Sequence, residues 1–303
     1  NVSRERMQDS SLMKKLGKAL TGRFLKHLGE EAEKDPAAYD GFHTEYQRFL
    51  KEGVLSDFEH QAAIAKLLRF ESSSLEAGKT TSLADYVKRM PSEQTEIYYL
   101  LARDRAAAEA SPYFEVFRER KFEVLFVSDP VDEFVMDRIR EFEGKNITAA
   151  EKAELKVDDQ EAAGSLSEED AAALSAWLKT TLGEAVKEVR SSKRLVDSPV
   201  VVVDSDKFMT ASMRRTLKMM GRDAGGFGGF GESAPDLELN PKHPVIVKLQ
   251  QVRGQDASLA ELVAHQLFDQ ARLAAGRLED PRSMLTRMNT LLSRADLVHV
   301  ISP

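Results

Sequence analysis

Residues 97–127, IYYLLARDRAAAEASPYFEVFRERKFEVLFV, decide the fold class. Two continuous apolar and aromatic runs, Ile97–Leu101 and Val124–Val127, have the length of buried strands. Between them, residues 105–110 form an alanine-rich helical pattern and residues 113–120 a second one. A strand, crossover helices and another strand predict a small parallel sheet covered by helices.

The residues before this stretch have helical patterns. Apolar residues recur at helical spacing over 11–29, and we predict further helices over 39–50 and 57–70. After the second strand, we predict a helix over 131–142 and a third strand over 145–147. The first domain, residues 1–150, would therefore hold packed helices over 10–90 and a sheet-and-helix unit over 91–150.

A linker is predicted at about residues 149–167. Residues 149–171 contain eight acidic and two basic residues and few large apolar ones. A second domain, residues 151–303, would follow. Its predicted helices cover 168–182, 210–220, 258–275 and 281–293, and its predicted strands cover 186–190, 200–203 and 237–239. Strands mixed with helices in more than one domain predict a multi-domain α+β protein.

Composition excludes several classes of function. The chain has 303 residues, and 43 basic against 50 acidic side chains give a net charge of −7. A general nucleic-acid binder would need a basic excess. The absence of cysteine excludes disulfides, thiol nucleophiles and cysteine-ligated metals. No apolar run is long enough to span a membrane. Because the chain begins Asn-Val-Ser rather than with Met, we expect it to be a piece of a longer protein.

Motifs for nucleotide or metal binding are incomplete. Gly78-Lys79-Thr80 resembles the end of a phosphate-binding loop, but the required earlier glycine and strand are missing, so we predict a polar turn. Gly226, Gly228 and Gly231 fit the spacing of a dinucleotide motif without its strand and helix, so we predict a loop over 225–231. The six histidines show no metal-ligand spacing, and we predict no metal site.

One methionine-rich helix is a candidate binding surface. Met209, Met213, Leu217 and Met220 recur at i, i+4, i+8 and i+11, and Met219 lies beside them. Methionine is adaptable and is over-used at promiscuous binding surfaces. The alternative is that this row belongs to the core, and the pattern alone does not choose between the two.

The last two predicted helices are unusually apolar for the end of a chain. A helical hairpin of this kind needs a partner, which a four-helix bundle across a two-fold axis would supply. The alternative is that it packs against its own domain. The residues assigned to dimerisation are Leu262, Leu267, Met284, Leu285, Met288, Leu291 and Leu292.

A co-linear series of segments resembles the heat-shock protein 90 chaperone family. The series comprises Asn1-Val2-Ser3-Arg4-Glu5 with Gln8, residues 65–70, 82–90, 97–99, 132–134, 141–145 and 239–243, and Leu278-Glu279-Asp280-Pro281. Together these segments span nearly the whole chain. The Met-Glu-Glu-Val-Asp and Lys-Asp-Glu-Leu tails of other subgroups are absent, so the bacterial or mitochondrial subgroup is the more similar.

The resemblance implies a fold and a division of labour. It implies the later part of a middle domain, with a three-helix coil and a small αβα unit, followed by a C-terminal dimerisation domain that ends in a helical hairpin. The full-length protein would be an ATPase that uses ATP and Mg²⁺, whereas this fragment would hold no cofactor and rely on an N-terminal ATPase domain in cis. In that protein, Arg4 and Gln8 would contact the γ-phosphate of ATP.

The resemblance also implies partners and a location. It implies a homodimer, with unfolded or partly folded client proteins bound at the segment that holds Met209, Met213 and Leu217. Met219 and Met220 depart from the familiar bacterial sequence, and we assign them to client binding from the methionine pattern. We expect no nucleic-acid or membrane partner. The expected location is the bacterial cytoplasm, with the mitochondrial matrix as the alternative. A dimerisation and scaffold module that does not contact clients remains the alternative function.

Overall fold

A computed structural model of the chain describes residues 11–157, 164–204, 209–219, 234–278 and 280–294. These residues form two compact units. The first contains the described residues up to Arg105 together with Glu123–Thr148, and the second contains Ala106–Phe122 and the described residues from Ala149 onward. The predicted domains, 1–150 and 151–303, stay a prediction. The compact units differ from them because the crossover residues 106–122 pack with the second unit.

Helices dominate the first half of the chain. Their bounds are α1 Ser11–Lys34, α2 Pro36–Ser56, α3 Gln61–Leu67, α4 Leu83–Arg89, α5 Arg105–Glu109, α6 Glu115–Arg120 and α7 Val131–Ile139. Side chains fix where two of them begin. The Asp35 carboxylate accepts the Ala38 N–H before α2, where Pro36 occupies the first position, and the Ser82 hydroxyl accepts the Asp85 N–H before α4.

Two predicted helices are shorter than expected. The helix predicted over 131–142 ends at Ile139, because Glu141–Phe142 form a strand that pairs antiparallel with Lys145 and Asn146. The pattern predicted a helix over 57–70, but α3 covers only Gln61–Leu67. The Asp57 carboxylate accepts the backbone N–H groups of Glu59 and His60 and so forms a turn before the helix. Beyond the helix, Phe70 is the first residue of a strand. The residues of this strand pair with two other strands of the sheet.

The sheet of the first unit is mixed. Its strands are β1 Phe70–Ser72, β2 Thr80–Thr81, β3 Ile97–Leu101, β4 Val124–Val127, β5 Glu141–Phe142 and β6 Lys145–Ala149. Their spatial order is β2-β1-β4-β3-β6-β5. The predicted parallel pairing of β3 with β4 is confirmed, with Tyr98 opposite Val124.

Antiparallel β1 and β2 were not predicted. The polar turn at Gly78 is confirmed, since Gly78 has a φ of 78° just before β2.

The second unit places helices around a three-stranded sheet. Its strands are β7 Val189–Ser191, β8 Val200–Val203 and β9 Asp236–Leu239, and its helices are α8 Glu168–Leu182, α9 Ala211–Met219, α10 Pro244–Gln255, α11 Ala257–Ala274 and α12 Arg282–Arg294. The central strand β9 is parallel to β7 and antiparallel to β8. The Ser167 hydroxyl accepts the Asp170 N–H, which confirms the predicted start of α8.

The core of the second unit joins α8, α10 and α11 to the three strands. Its fully buried centre includes Leu174 and Leu178 of α8, Leu237 and Leu239 of β9, and Ile246 of α10. The sequence pattern predicted no element at α10, because its valine-rich start lacks a clear helical stripe. The structure begins this helix with Pro244 at its first position and the His243 side chain accepting the Val245 N–H. None of the helices in the described ranges is long and apolar enough to cross a membrane.

Candidate functional site

Helix α12 presents an apolar face to solvent. Leu285, Met288 and Leu292 lie at i, i+3 and i+7, and their side chains are 46%, 37% and 52% exposed. Residues at this spacing share one face of a helix. Leu273, near the end of α11, is also exposed. Large apolar side chains grouped in this way mark a surface for association.

The remaining residues assigned to dimerisation are less accessible. Leu262 and Leu291 are half-buried. Leu267 belongs to the core of the second unit, and Met284 is 8% exposed. Both are therefore already covered by their own chain. The alternative of packing against the same domain thus applies to the inner face of the hairpin, while the outer face of α12 remains open.

An ion pair fixes α12 on α11. The Arg287 guanidinium lies 2.7 Å from Oδ2 of Asp269, and both side chains are largely buried. Arg272, one turn beyond Asp269 on α11, approaches the same carboxylate at 3.5 Å. Because Arg287 lies on the side of α12 away from Leu285 and Leu292, this pair orients the apolar face outward.

The methionine-rich helix α9 is only partly accessible. Met209 and Leu217 are half-buried, and Met213 is 5% exposed. The Met213 N–H donates to Oγ1 of buried Thr210 at 3.1 Å, which caps the first turn. The expectation of an exposed row is therefore not met at Met213, which is covered by its own unit. The side chain of Met219 and the whole of Met220 lie outside the described residues, as does the glycine-rich segment 225–231.

No catalytic constellation occurs among the described residues. Burial lowers the pKa of His43 to about 4 and raises the pKa values of Asp132 and Tyr113. His43 and Asp132 belong to the first unit and both interact with Lys51, whereas Tyr113 belongs to the second unit, and none of the three lies on α9 or α12. Within the described ranges, no group of three or more His, Asp or Glu side chains could hold a metal ion. Arg4 and Gln8 lie outside the described residues.

A basic groove lies along α1. It has a volume of about 520 Å³ and is lined by Lys15, Lys18, Ala19, Gly22, Arg23, Lys26 and His60. The lysines are largely exposed, and two are paired with carboxylates, Lys18 with Glu59 and Lys26 with Glu30. Such a groove attracts anions weakly. His60, the histidine in its lining, has its Nδ1 atom 2.7 Å from Oδ2 of Asp57.

Several structurally important residues were not predicted from the sequence. Asp204, Arg214 and Arg277 form one buried charge cluster, and Glu115 binds a loop some eighty residues away. Each is a common charged residue with no local motif around it. Only the folded chain brings their partners together, so the sequence contains no signal that would single them out.

Comparison with known proteins gives matches over almost the full chain. The family model described as Hsp90 protein matches residues 1–299. The chain is 44% identical over 299 residues to the chaperone protein HtpG of Desulfitobacterium hafniense, covering 97% of this chain and 48% of that protein. It is 37% identical over 305 residues to the mitochondrial heat shock protein 75 kDa of Rattus norvegicus, covering 97% of this chain and 43% of that protein. The chain thus spans about half the length of these relatives.

Proposed function

The chain belongs to the Hsp90 protein family, and from that membership we propose that it is part of an ATP-dependent molecular chaperone. In this proposal, the chain pairs two subunits and contacts unfolded or partly folded client proteins. The observation that carries the proposal is the match to the family model over residues 1–299, together with 44% identity to a chaperone protein HtpG. The order and spacing of the matched segments are far more specific than any single motif.

Homodimerisation through α11 and α12 is supported by the exposed apolar face of α12. A two-fold axis beside Leu285, Met288 and Leu292 would place each face against its copy. Because these residues are already about half covered, burying the rest of each side chain would contribute roughly half of the 1.5–3 kcal/mol that complete burial gives. The inner residues Leu267 and Met284 would support the hairpin rather than contact the partner subunit.

Sedimentation equilibrium at micromolar concentration tests the dimer. The double change Leu285→Asp and Leu292→Asp would place carboxylates in an apolar interface, at a cost of roughly several kcal/mol. We expect the wild type to be dimeric and this variant to be monomeric with an unchanged helix content. Thr286→Asp, which adds a charge at an exposed neighbour on α12, is the matched control and should stay dimeric. A monomeric wild type would contradict the proposal.

Client contact is proposed for α9, with Met209 and Leu217 as its accessible apolar side chains. A dimer would present two such helices, and a client that contacts both weak sites at once is bound more tightly than by either site alone. Binding of fluorescently labelled, reduced α-lactalbumin is the measurement. Met209→Ser with Leu217→Ser should weaken binding at least several-fold while the thermal midpoint changes little. Thr216→Ala, on the same helix, is the control.

A scaffold module without client contact is the second candidate, and the burial of Met213 favours it. A buried methionine cannot contact a client unless α9 rearranges. The same experiment separates the two candidates. If the wild type itself does not bind the model client, the scaffold function is supported. If the folded Met209 and Leu217 double variant binds the client as well as the wild type does, the client contact lies elsewhere than these two side chains.

ATP and Mg²⁺ are proposed to act in the full-length protein and not to bind this chain alone. Among the described residues, Gly78 forms a hairpin turn rather than a phosphate loop, and no carboxylate cluster fits Mg²⁺. Both observations support the proposal that another part of the full-length protein binds the nucleotide. Arg4 and Gln8 stay the predicted γ-phosphate contacts. Calorimetric titration with ATP and Mg²⁺ should give no saturable heat, and specific binding or turnover by the chain would contradict this assignment.

The proposed location is the cytoplasm of a bacterium, with the mitochondrial matrix as the alternative. Relatives named HtpG come from bacteria, and the rat relative is named mitochondrial. Two HtpG proteins, at 44% and 42% identity, are more similar to the chain than the rat protein is, at 37%, and this supports the first choice.

A further inference from the structure

A single carboxylate joins the methionine-rich helix to the dimerisation hairpin. Asp204 follows directly after strand β8, and its side chain is only 3% exposed. It forms ion pairs with two guanidinium groups, those of Arg214 in α9 and Arg277 in the connection between α11 and α12. The Arg277 Nη2 atom lies 2.6 Å from Oδ2 of Asp204.

Arg214 contacts the start of α9 in addition to the Asp204 carboxylate. Its Nη1 atom donates to the carbonyl oxygen of Met209 at 3.3 Å, just before the helix begins. Thr210, which is 1% exposed, caps the same turn. The first turn of α9 therefore depends on where the Arg214 guanidinium is held, and Asp204 holds it.

Arg277 reaches Asp204 from a fixed backbone. Its N–H donates to the carbonyl oxygen of Arg272 at 2.7 Å, and the Arg272 side chain donates back to the carbonyl oxygen of Arg277 at 3.3 Å. Gly276, with a φ of 61°, allows the sharp end of α11 that this geometry requires. A displacement of the end of α11 would therefore displace the Arg277 guanidinium as well.

Burial makes this cluster sensitive to the loss of one member. Charges removed from water depend on their partners, whereas exposed ion pairs contribute little. The same connection contains an exposed pair, Arg282 with Asp280, whose side chains are 88% and 52% exposed. That pair provides a matched control a few residues from the buried cluster.

We propose that Asp204 is a positioning residue that couples the orientation of α9 to the hairpin formed by α11 and α12. Client contact at α9 would then respond to subunit pairing through Arg277, Asp204 and Arg214. This coupling rests on the proposed function for its biological meaning, but the structural linkage itself can be tested without a client. Coupling of this kind is reciprocal, so a ligand on α9 would also favour the paired state.

Hydrogen–deuterium exchange of the dimeric chain tests the linkage. Arg277→Gln should raise amide exchange across residues 211–219 at least tenfold and leave the amides of β7, β8 and β9 protected. Arg282→Gln should change neither set. Arg277→Lys keeps the charge but loses the fork of donors, so a smaller increase over 211–219 is expected. If Arg277→Gln also raises exchange in β7, β8 and β9, the Arg277→Lys variant is used to test the linkage instead. Amide exchange over 211–219 at the wild-type rate in Arg277→Lys would then overturn the proposal.

A double-mutant cycle that combines the monomeric variant with Arg277→Gln tests whether α9 is coupled to subunit pairing. The Leu285→Asp and Leu292→Asp change should raise exchange over 211–219 in the wild-type background and should add little in the Arg277→Gln background. Equal increases in both backgrounds would overturn the coupling. Failure of the model client to bind would contradict the client assignment alone, because the exchange measurements do not depend on it.

Discussion

The carboxylate of Glu115 accepts a hydrogen bond of 2.8 Å from the backbone N–H of Val196, across 81 residues of sequence. The same oxygen accepts the N–H groups of Asp197 and Ser198, and the other oxygen accepts the Ser198 hydroxyl. Glu115 is 6% exposed, so these groups satisfy a buried charge. Helix α6 is thereby fixed to the loop that precedes strand β8.

Glu115→Ala should destabilise the second unit by on the order of 3 kcal/mol, because three backbone N–H groups would lose their acceptor. The single tryptophan, Trp177, packs against the core of that unit and reports its unfolding. Urea titration followed by Trp177 fluorescence is the measurement. Glu119→Gln, at an exposed position of α6, should leave the midpoint unchanged. An unaltered midpoint for Glu115→Ala would show that the loop does not depend on it.

Arg287→Gln should weaken the proposed dimer about tenfold or more. The variant loses the charge that pairs with largely buried Asp269, so α12 is held less firmly against α11 and its apolar face is less well oriented. The dimer dissociation constant from sedimentation is the measurement. Arg294→Gln, near the end of α12 with a half-exposed partner 3.8 Å away, is the control. Equal dissociation constants for the wild type and Arg287→Gln would contradict this role.

Lys51 and Asp132 form a buried ion pair in the first unit, with Nζ 2.6 Å from Oδ1. Burial raises the pKa of Asp132, and the Lys51 charge partly opposes that rise. Lys51→Met should therefore cost roughly 3–5 kcal/mol at neutral pH. Since the folded state would hold the Asp132 proton to higher pH than the unfolded chain, stability should fall as pH rises above about 4. Hydrogen exchange of β3 and β4 amides across this pH range is the measurement.

A second variant makes the pair prediction specific. Lys51→Met combined with Asp132→Asn removes both charges and should regain most of the lost stability and flatten its pH dependence. If the double variant is as unstable as Lys51→Met at every pH, lost packing rather than an unpaired carboxylate is responsible.

Local signals made much of the fold predictable. The continuous runs at β3 and β4 and the Ser167 cap of α8 depend on neighbouring residues, and the structure confirms them. Strand β1 was not predicted, because its three residues form a strand through their pairing with β2 and β4. The burial of Met213 could not be read from its periodicity, since a methionine row has the same spacing in a core and on a surface. The Asp204 cluster joins three distant segments, and no local pattern encodes it.

His43 provides a second, opposite pH dependence in the first unit. It is 4% exposed, and its Nε2 atom accepts the backbone N–H of Arg69 at 3.1 Å. Burial, with the nearby Arg69 and Lys51 charges, lowers its pKa from 6.5 to about 4. The unfolded chain therefore binds a proton that the folded state excludes between these values. His43 favours folding above pH 6.5, and that contribution is lost as pH falls toward about 4.

His43→Gln should remove this dependence, because the amide oxygen can accept the Arg69 N–H without titrating. A pKa difference of this size changes the free energy of unfolding by roughly 3 kcal/mol between pH 6.5 and pH 4. The measurement is the difference in unfolding free energy between variant and wild type from pH 4 to 7, which cancels the opposing contribution of Asp132. We expect the variant to gain stability relative to wild type as pH falls. His27→Gln, at an exposed position of α1, should give a nearly flat difference. A flat difference for His43→Gln as well would mean that the buried imidazole takes up its proton without disturbing the fold.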